Sequence, residues 1–117
     1  MNTTAATDRI WLKSYPPGTD AEIGPLAYAS VAALLEDSFK RFADRPAYTC
    51  MGKTLTYSET ERMSAAIGAW LQSLGLQKGD RVAVMMPNIL QMPVAMAAVL
   101  RAGYTVVNVN PLYTPRE

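Results

Sequence analysis

Histidine is absent from the 117 residues, and cysteine occurs once, at Cys50. The first absence excludes Ser-His-Asp and Cys-His nucleophile systems, and every histidine-containing zinc site, from within the chain. The single thiol excludes an internal disulfide and a multi-thiolate metal site, and it matches a reducing compartment. An excess of charge of either sign is lacking too: 11 basic side chains stand against 10 acidic ones. A chain so balanced carries neither a basic nucleic-acid footprint nor an acidic tail, and no nucleic-acid partner is expected. The first twenty positions hold no basic segment followed by an apolar one, so no secretory signal is expected, and the glycosylation-like triplet Asn2-Thr3-Thr4 is read as chance.

Apolar surface is plentiful, at 50% of residues. A chain of this length can bury more than half of its unfolded surface in one core. From Val82 to Leu100 there is no charged residue, and from Val82 to Pro115 only Arg101. That run is long enough to cross a bilayer, but Pro87, Asn88, Gln91 and Pro93 interrupt it and Gly103 punctuates it again. A buried strand, a turn, a buried helix and a second strand account for the same composition, and no transmembrane segment is expected.

Residues 1–29 show no sustained period and contain Pro16-Pro17-Gly18, Gly24 and Pro25. They read as an extended lead segment, pinned to a larger body by Ile10, Trp11, Leu12 and Tyr15. Residues 30–117 read as the structured part. Ser30 caps a helix to about Ala43 whose stripe is Val31, Leu34, Leu35, Phe39 and Phe42, and the Arg45-Pro46 pair ends it. Ala47–Cys50 and Thr54–Tyr57 form a hairpin around Met51-Gly52-Lys53. Ser58-Glu59-Thr60-Glu61 is read as a capping box opening a second helix, with Met63, Ala66, Ile67, Trp70, Leu71 and Leu74 as its buried face and Gly75 at its left-handed end. After Lys78-Gly79-Asp80, Arg81–Met86 is a continuous apolar strand of the kind covered on both faces in a parallel sheet. Asn88 is placed as the cap of a third helix, Ile89 to about Ala102, with Pro93 loosening or shifting its start, and Tyr104–Val109 is the next strand. Strand, helix and strand make a βαβ unit, and the class is α/β.

Chemistry is harder to find. Gly52-Lys53-Thr54 resembles the end of a phosphate-binding loop, but Ala47 stands where the earlier glycine is needed and the segment lies in a hairpin. The dinucleotide fingerprint is missing; Pro87-Asn88 occupies its place after the strand. Glu59 and Glu61 lie two apart at a helix start and face different ways, Glu61 being given the capping role, so they read as dipole-complementing acids rather than a catalytic pair. Met85, Met86, Met92 and Met96 read as core filling and Trp70 as packing; Trp11 is open between packing and ligand stacking. Asn108, Asn110, Tyr113 and Thr114 follow the end of a parallel strand, where open α/β sheets place ligands, yet Asn110-Pro111 and Thr114-Pro115 equally make a rigid turn. Both readings stand.

Several short stretches fall in a specific order. Arg45-Pro46-Ala47, Leu55-Thr56-Tyr57-Ser58-Glu59 and Lys78-Gly79-Asp80-Arg81-Val82-Ala83 are followed by Met86-Pro87-Asn88 and Leu100-Arg101-Ala102-Gly103. The run from Val107 through Asn110-Pro111-Leu112-Tyr113-Thr114-Pro115 to Glu117 closes the series. Together they resemble the opening of the adenylate-forming acyl-activating enzymes, and with Trp11-Leu12 and Tyr15-Pro16 they are most similar to bacterial long-chain fatty acid–CoA ligases. The resemblance implies the N-terminal portion of a large AMP-binding domain. It also implies an enzyme that uses ATP and Mg2+ to turn a fatty acid into an acyl-adenylate, then passes the acyl group to coenzyme A. On this reading the chain is a fragment, inactive alone, with the remainder of its own chain as partner. None of its residues matches a catalytic, cofactor-binding or metal motif of the family. The implied location is cytoplasmic, with peripheral contact at the inner face of the membrane and a homo-oligomer left open. Two alternatives remain beside it: a ligase for an aryl or short-chain acid, and a free-standing, non-catalytic α/β interaction module.

Overall fold

In the computed structural model, residues 9–117 are described, so Asn2-Thr3-Thr4 and the first positions of the lead segment lie outside the described residues. The class is α/β. A short 3-10 helix, Ile10–Ser14, precedes α1 (Val31–Arg41), β1 (Pro46–Cys50), β2 (Lys53–Thr56), α2 (Tyr57–Ser73), β3 (Arg81–Val84), α3 (Gln91–Arg101) and β4 (Thr105–Asn108).

Of the residues expected to pin the lead segment to a larger body, Ile10, Trp11 and Tyr15 are exposed on this chain and Leu12 is partly buried. An Arg9–Glu22 ion pair folds the segment back on itself, and the Tyr28 hydroxyl fastens its end by donating to the Asp37 carboxylate on α1. That hydrogen bond, with Arg41 alongside, holds the Asp37 carboxyl below its ordinary range. Ser30 caps α1 as expected, its Oγ accepting from the Ala33 N–H at 3.1 Å. Of the α1 stripe only Phe39 is fully buried, while Val31 and Leu34 face outward. Phe42 packs against the Tyr57 ring, with centroids 5.6 Å apart.

β1 and β2 form the antiparallel hairpin, pairing Cys50 with Lys53 and Thr49 with Thr54. Met51 (φ 49) and Gly52 (φ 76) both adopt positive φ, as a two-residue hairpin turn of the favoured twist requires. The capping box lies two residues earlier than its sequence reading. Thr56, not Ser58, is the N-cap: its Oγ1 accepts from the Glu59 N–H at 3.2 Å, while Glu59 Oε2 accepts from the Thr56 N–H at 2.8 Å. The hairpin register ends β2 at Thr56, and that placement selects the earlier of two overlapping Thr/Ser-x-x-Glu patterns. Glu61 has no capping role.

The buried face of α2 is also corrected. Thr60, Ser64, Gly68 and Leu71 are buried; Met63, Ile67, Trp70 (58% exposed) and Leu74 are not. Thr60, Ser64 and Gly68, spaced by four, make a seam of small side chains that runs on to Leu71 and brings the α2 backbone against α3. A Cβ built on Gly68 would lie 3.3 Å from the Ala98 carbonyl oxygen and 3.7 Å from the Ala102 Cβ. Close approach outranks hydrophobicity at these positions, and Met63, Ile67, Trp70 and Leu74 form a stripe beside the seam rather than on it.

β3 and β4 pair in parallel, Val82 with Val106 and Ala83 with Val107, and α3 is their crossover. The βαβ unit therefore stands as read. Asn88 does not cap α3; the helix begins at Gln91 after Leu90 with no side-chain cap, which leaves Pro93 in the first turn where its missing N–H is harmless. Leu71, Val84, Val99 and Tyr104 form the core, joined by Val82, Met86, Met92 and Val106. The strands were expected to be covered on both faces. Here one face meets the helices while Arg81, Ala83, Met85, Thr105 and Val107 on the other are exposed.

Gly68→Val should lower stability by about 1–3 kcal/mol by wedging α2 from α3, seen as a lower urea midpoint with an unchanged slope. Glu59 yields a pH signature. Its carboxyl is held below its ordinary value, first by the Thr56 backbone N–H and then by the Thr56 hydroxyl. A depressed carboxylate stabilises above its unfolded pKa of about 4.3 and loses that contribution as pH falls through the folded value. Wild type should therefore exceed Glu59→Gln in urea midpoint at pH 7, and the gap should narrow as pH falls below about 4.3.

Candidate functional site

Three places gather side chains of chemical interest. The first is the carboxyl end of the parallel pair, where Val109 N–H donates to the Val84 carbonyl at 3.0 Å and the chain enters its last turns. Asn110 Oδ1 accepts from the Leu112 N–H at 3.0 Å, and the Asn110 carbonyl accepts from the Tyr113 N–H at 3.1 Å. The Thr114 N–H and hydroxyl both donate to Glu117 Oε2, at 2.7 and 2.8 Å, which holds the Glu117 carboxyl below its ordinary range. Asn110 and Thr114 are thus occupied in building turns, and Asn108 and Tyr113 are exposed. Of the two sequence readings, the geometry displays the rigid turn.

The second place is a pair of apolar grooves. One, of about 560 Å³, is lined by Leu55, Met63, Ile67, Met86, Leu90 and Val94. The other, of about 340 Å³, runs past Tyr48, Cys50, Asn88, Met92 and Met96, with the Cys50 thiol pointing at the Asn88 carbonyl from 3.9 Å. Three of the four clustered methionines line these grooves, Met86 and Met92 also packing against the core, whereas Met85 is exposed. Gly52, Lys53 and Thr54 sit in the hairpin, with no helix amino terminus behind them. Trp11 and Trp70 are both exposed, so the packing role read for Trp70 is corrected. Among the described residues no group of three or more His, Cys, Asp and Glu side chains converges as a metal-ligand set.

The third place escaped the sequence reading. Arg101, the lone charge of its long apolar run, reaches across three helices. Its Nε–H donates to Glu36 Oε1 on α1 at 2.6 Å; its Nη1–H groups donate to the Glu61 carbonyl at 2.9 Å and to Ser64 Oγ at 2.7 Å on α2. The guanidinium carbon lies 5.2 Å from the Phe39 ring centroid. Glu61, offered as half of a carboxylate pair with Glu59, points instead toward Arg101, 4.0 Å from Nη2. The available signal was the arginine itself, because a charge in a buried run requires partners. What the sequence alone could not supply was their identity, since Glu36 lies 65 residues away. The cluster is a structural clamp: the Nε–H and Nη1–H groups are engaged, while Nη2 lies near the Glu61 carboxylate beside a small cleft lined by Glu36, Ser64 and Gln72.

Comparison with known proteins agrees with the architecture. The family model described as AMP-binding enzyme matches residues 35–117. A long-chain-fatty-acid–CoA ligase from Yersinia pestis is 55% identical over 94% of this chain and 20% of its own length. Among solved structures, the NpsA N-terminal subdomain of Klebsiella oxytoca superposes with a TM-score of 0.70 at 30% identity, over 74% of this chain and 23% of its own. VinN in complex with 3-methylaspartate superposes with a TM-score of 0.69 at 35% identity, over 73% and 24%. The chain spans about a fifth of the length of the curated relatives that it matches.

Replacing Arg101 with Met should cost about 2 kcal/mol, because it strands the Glu36 carboxylate and the Ser64 hydroxyl. Arg101→Lys should recover less than half of that, since an ammonium cannot reach both helices in the planar fork. Thermal and urea unfolding of the two variants measure it.

Proposed function

The chain belongs to the AMP-binding enzyme family, and we propose that it is the N-terminal scaffold of a long-chain fatty acid–CoA ligase. The observation that carries this is 55% identity to such a ligase sustained over 94% of the chain. The reaction follows from leaving-group chemistry. A carboxylate is a poor acyl donor; transfer of AMP from ATP creates a mixed anhydride and releases pyrophosphate, and the thiol of coenzyme A then displaces AMP. A Mg2+ ion would neutralise phosphate charge in the first step.

Within that reading, residues 1–29 are the lead segment and residues 30–117 the opening of the AMP-binding domain. We assign no catalytic, cofactor-binding or metal residue to this stretch. Its side chains of chemical interest are engaged in caps, turns and the Arg101 clamp, which suits a body that holds strand ends in place for groups contributed elsewhere. The enzyme works in the cytoplasm and meets its lipid-like acid at the inner membrane face by peripheral contact. Among the described residues no helix is long and apolar enough to cross a membrane.

A chimera tests this: the Yersinia pestis ligase with its matching fifth replaced by this chain. With palmitate, ATP, Mg2+ and coenzyme A it should form palmitoyl-CoA within about tenfold of the parent rate, a loss of no more than about 1.4 kcal/mol in the barrier. The 117-residue chain alone should release no pyrophosphate. A folded chimera that accepts benzoate or acetate but not palmitate, or turnover by the chain alone, would overturn the reading.

A further inference from the structure

We draw no further inference here: the strongest candidate, the apolar groove between β1 and α3 where Cys50 stands beside Met92 and Met96, carries nothing, because its one reactive group is a lone cysteine and nothing in the structure shows what occupies or covers the groove.

Discussion

One guanidinium ties the layers of this fold together. Arg101 leaves α3 at its last turn and bonds to Glu36 on α1 and to both a side chain and a carbonyl on α2, with the Phe39 ring beneath it. Its side chain is only 15% exposed, whereas Glu36 retains 42%. The pair is therefore half in water, where desolvation is moderate and the planar fork can satisfy several acceptors at once. Remove it and three helices lose their common point. Hydrophobic burial alone would not fix their mutual register, since α1 contributes a single fully buried side chain, Phe39.

The clamp and the small-residue seam of α2 are consequences of each other. Ser64 serves in both: it is buried on the seam, accepts from Arg101, and donates its own hydroxyl to the Glu61 carbonyl. Replacing the small residues of Thr60, Ser64 and Gly68 with larger ones would push α2 away from α3 and carry the Ser64 hydroxyl and the Glu61 carbonyl out of the reach of Arg101. Conversely, without the arginine the Ser64 hydroxyl and the Glu61 carbonyl lose a charged partner in a buried place. Packing and polarity are satisfied by one geometry, and Met63, Ile67, Trp70 and Leu74 are left to the stripe beside the seam.

The sequence was legible wherever the determinant is local. Ser30 before an apolar period, a hairpin turn at Met51-Gly52, Gly75 after a helix, and strand–helix–strand order after Arg81 all act within a few residues and appear as read. The exceptions are that Lys53 opens β2 and that the strands end at Val84 and Asn108 rather than Met86 and Val109. It was misleading where a tertiary neighbour decides. Hydrophobicity points to one face of α2, but the close approach of α3 selects for small side chains on another. Ser58 suits the cap as well as Thr56 does, because two Thr/Ser-x-x-Glu patterns overlap and only the hairpin register chooses between them. Asn88 suits a cap by chemistry, but Pro93 moves the helix start past it. At the candidate site, the turns of Asn110 and Thr114 could be read locally, whereas the Arg101 cluster joins residues 65 positions apart and has no local trace beyond an unpartnered charge.

These features bear on how a stretch whose polar side chains serve caps, turns and a clamp can be 55% identical to a ligase over 94% of its length. A βαβ unit places the carboxyl ends of its strands at one rim, and the loops that leave that rim decide what chemistry is presented there. Holding the rim demands fixed strand register, a fixed crossover and fixed helix packing. Those demands fall on Gly68, Ser64, Arg101, Thr56 and Glu59. Each has little freedom to vary: a side chain on Gly68 meets a backbone oxygen, a lysine at Arg101 loses the fork, and an alanine at Thr56 empties the cap. The constraint on such residues is geometric, and it can be as strict as the constraint on a catalytic group.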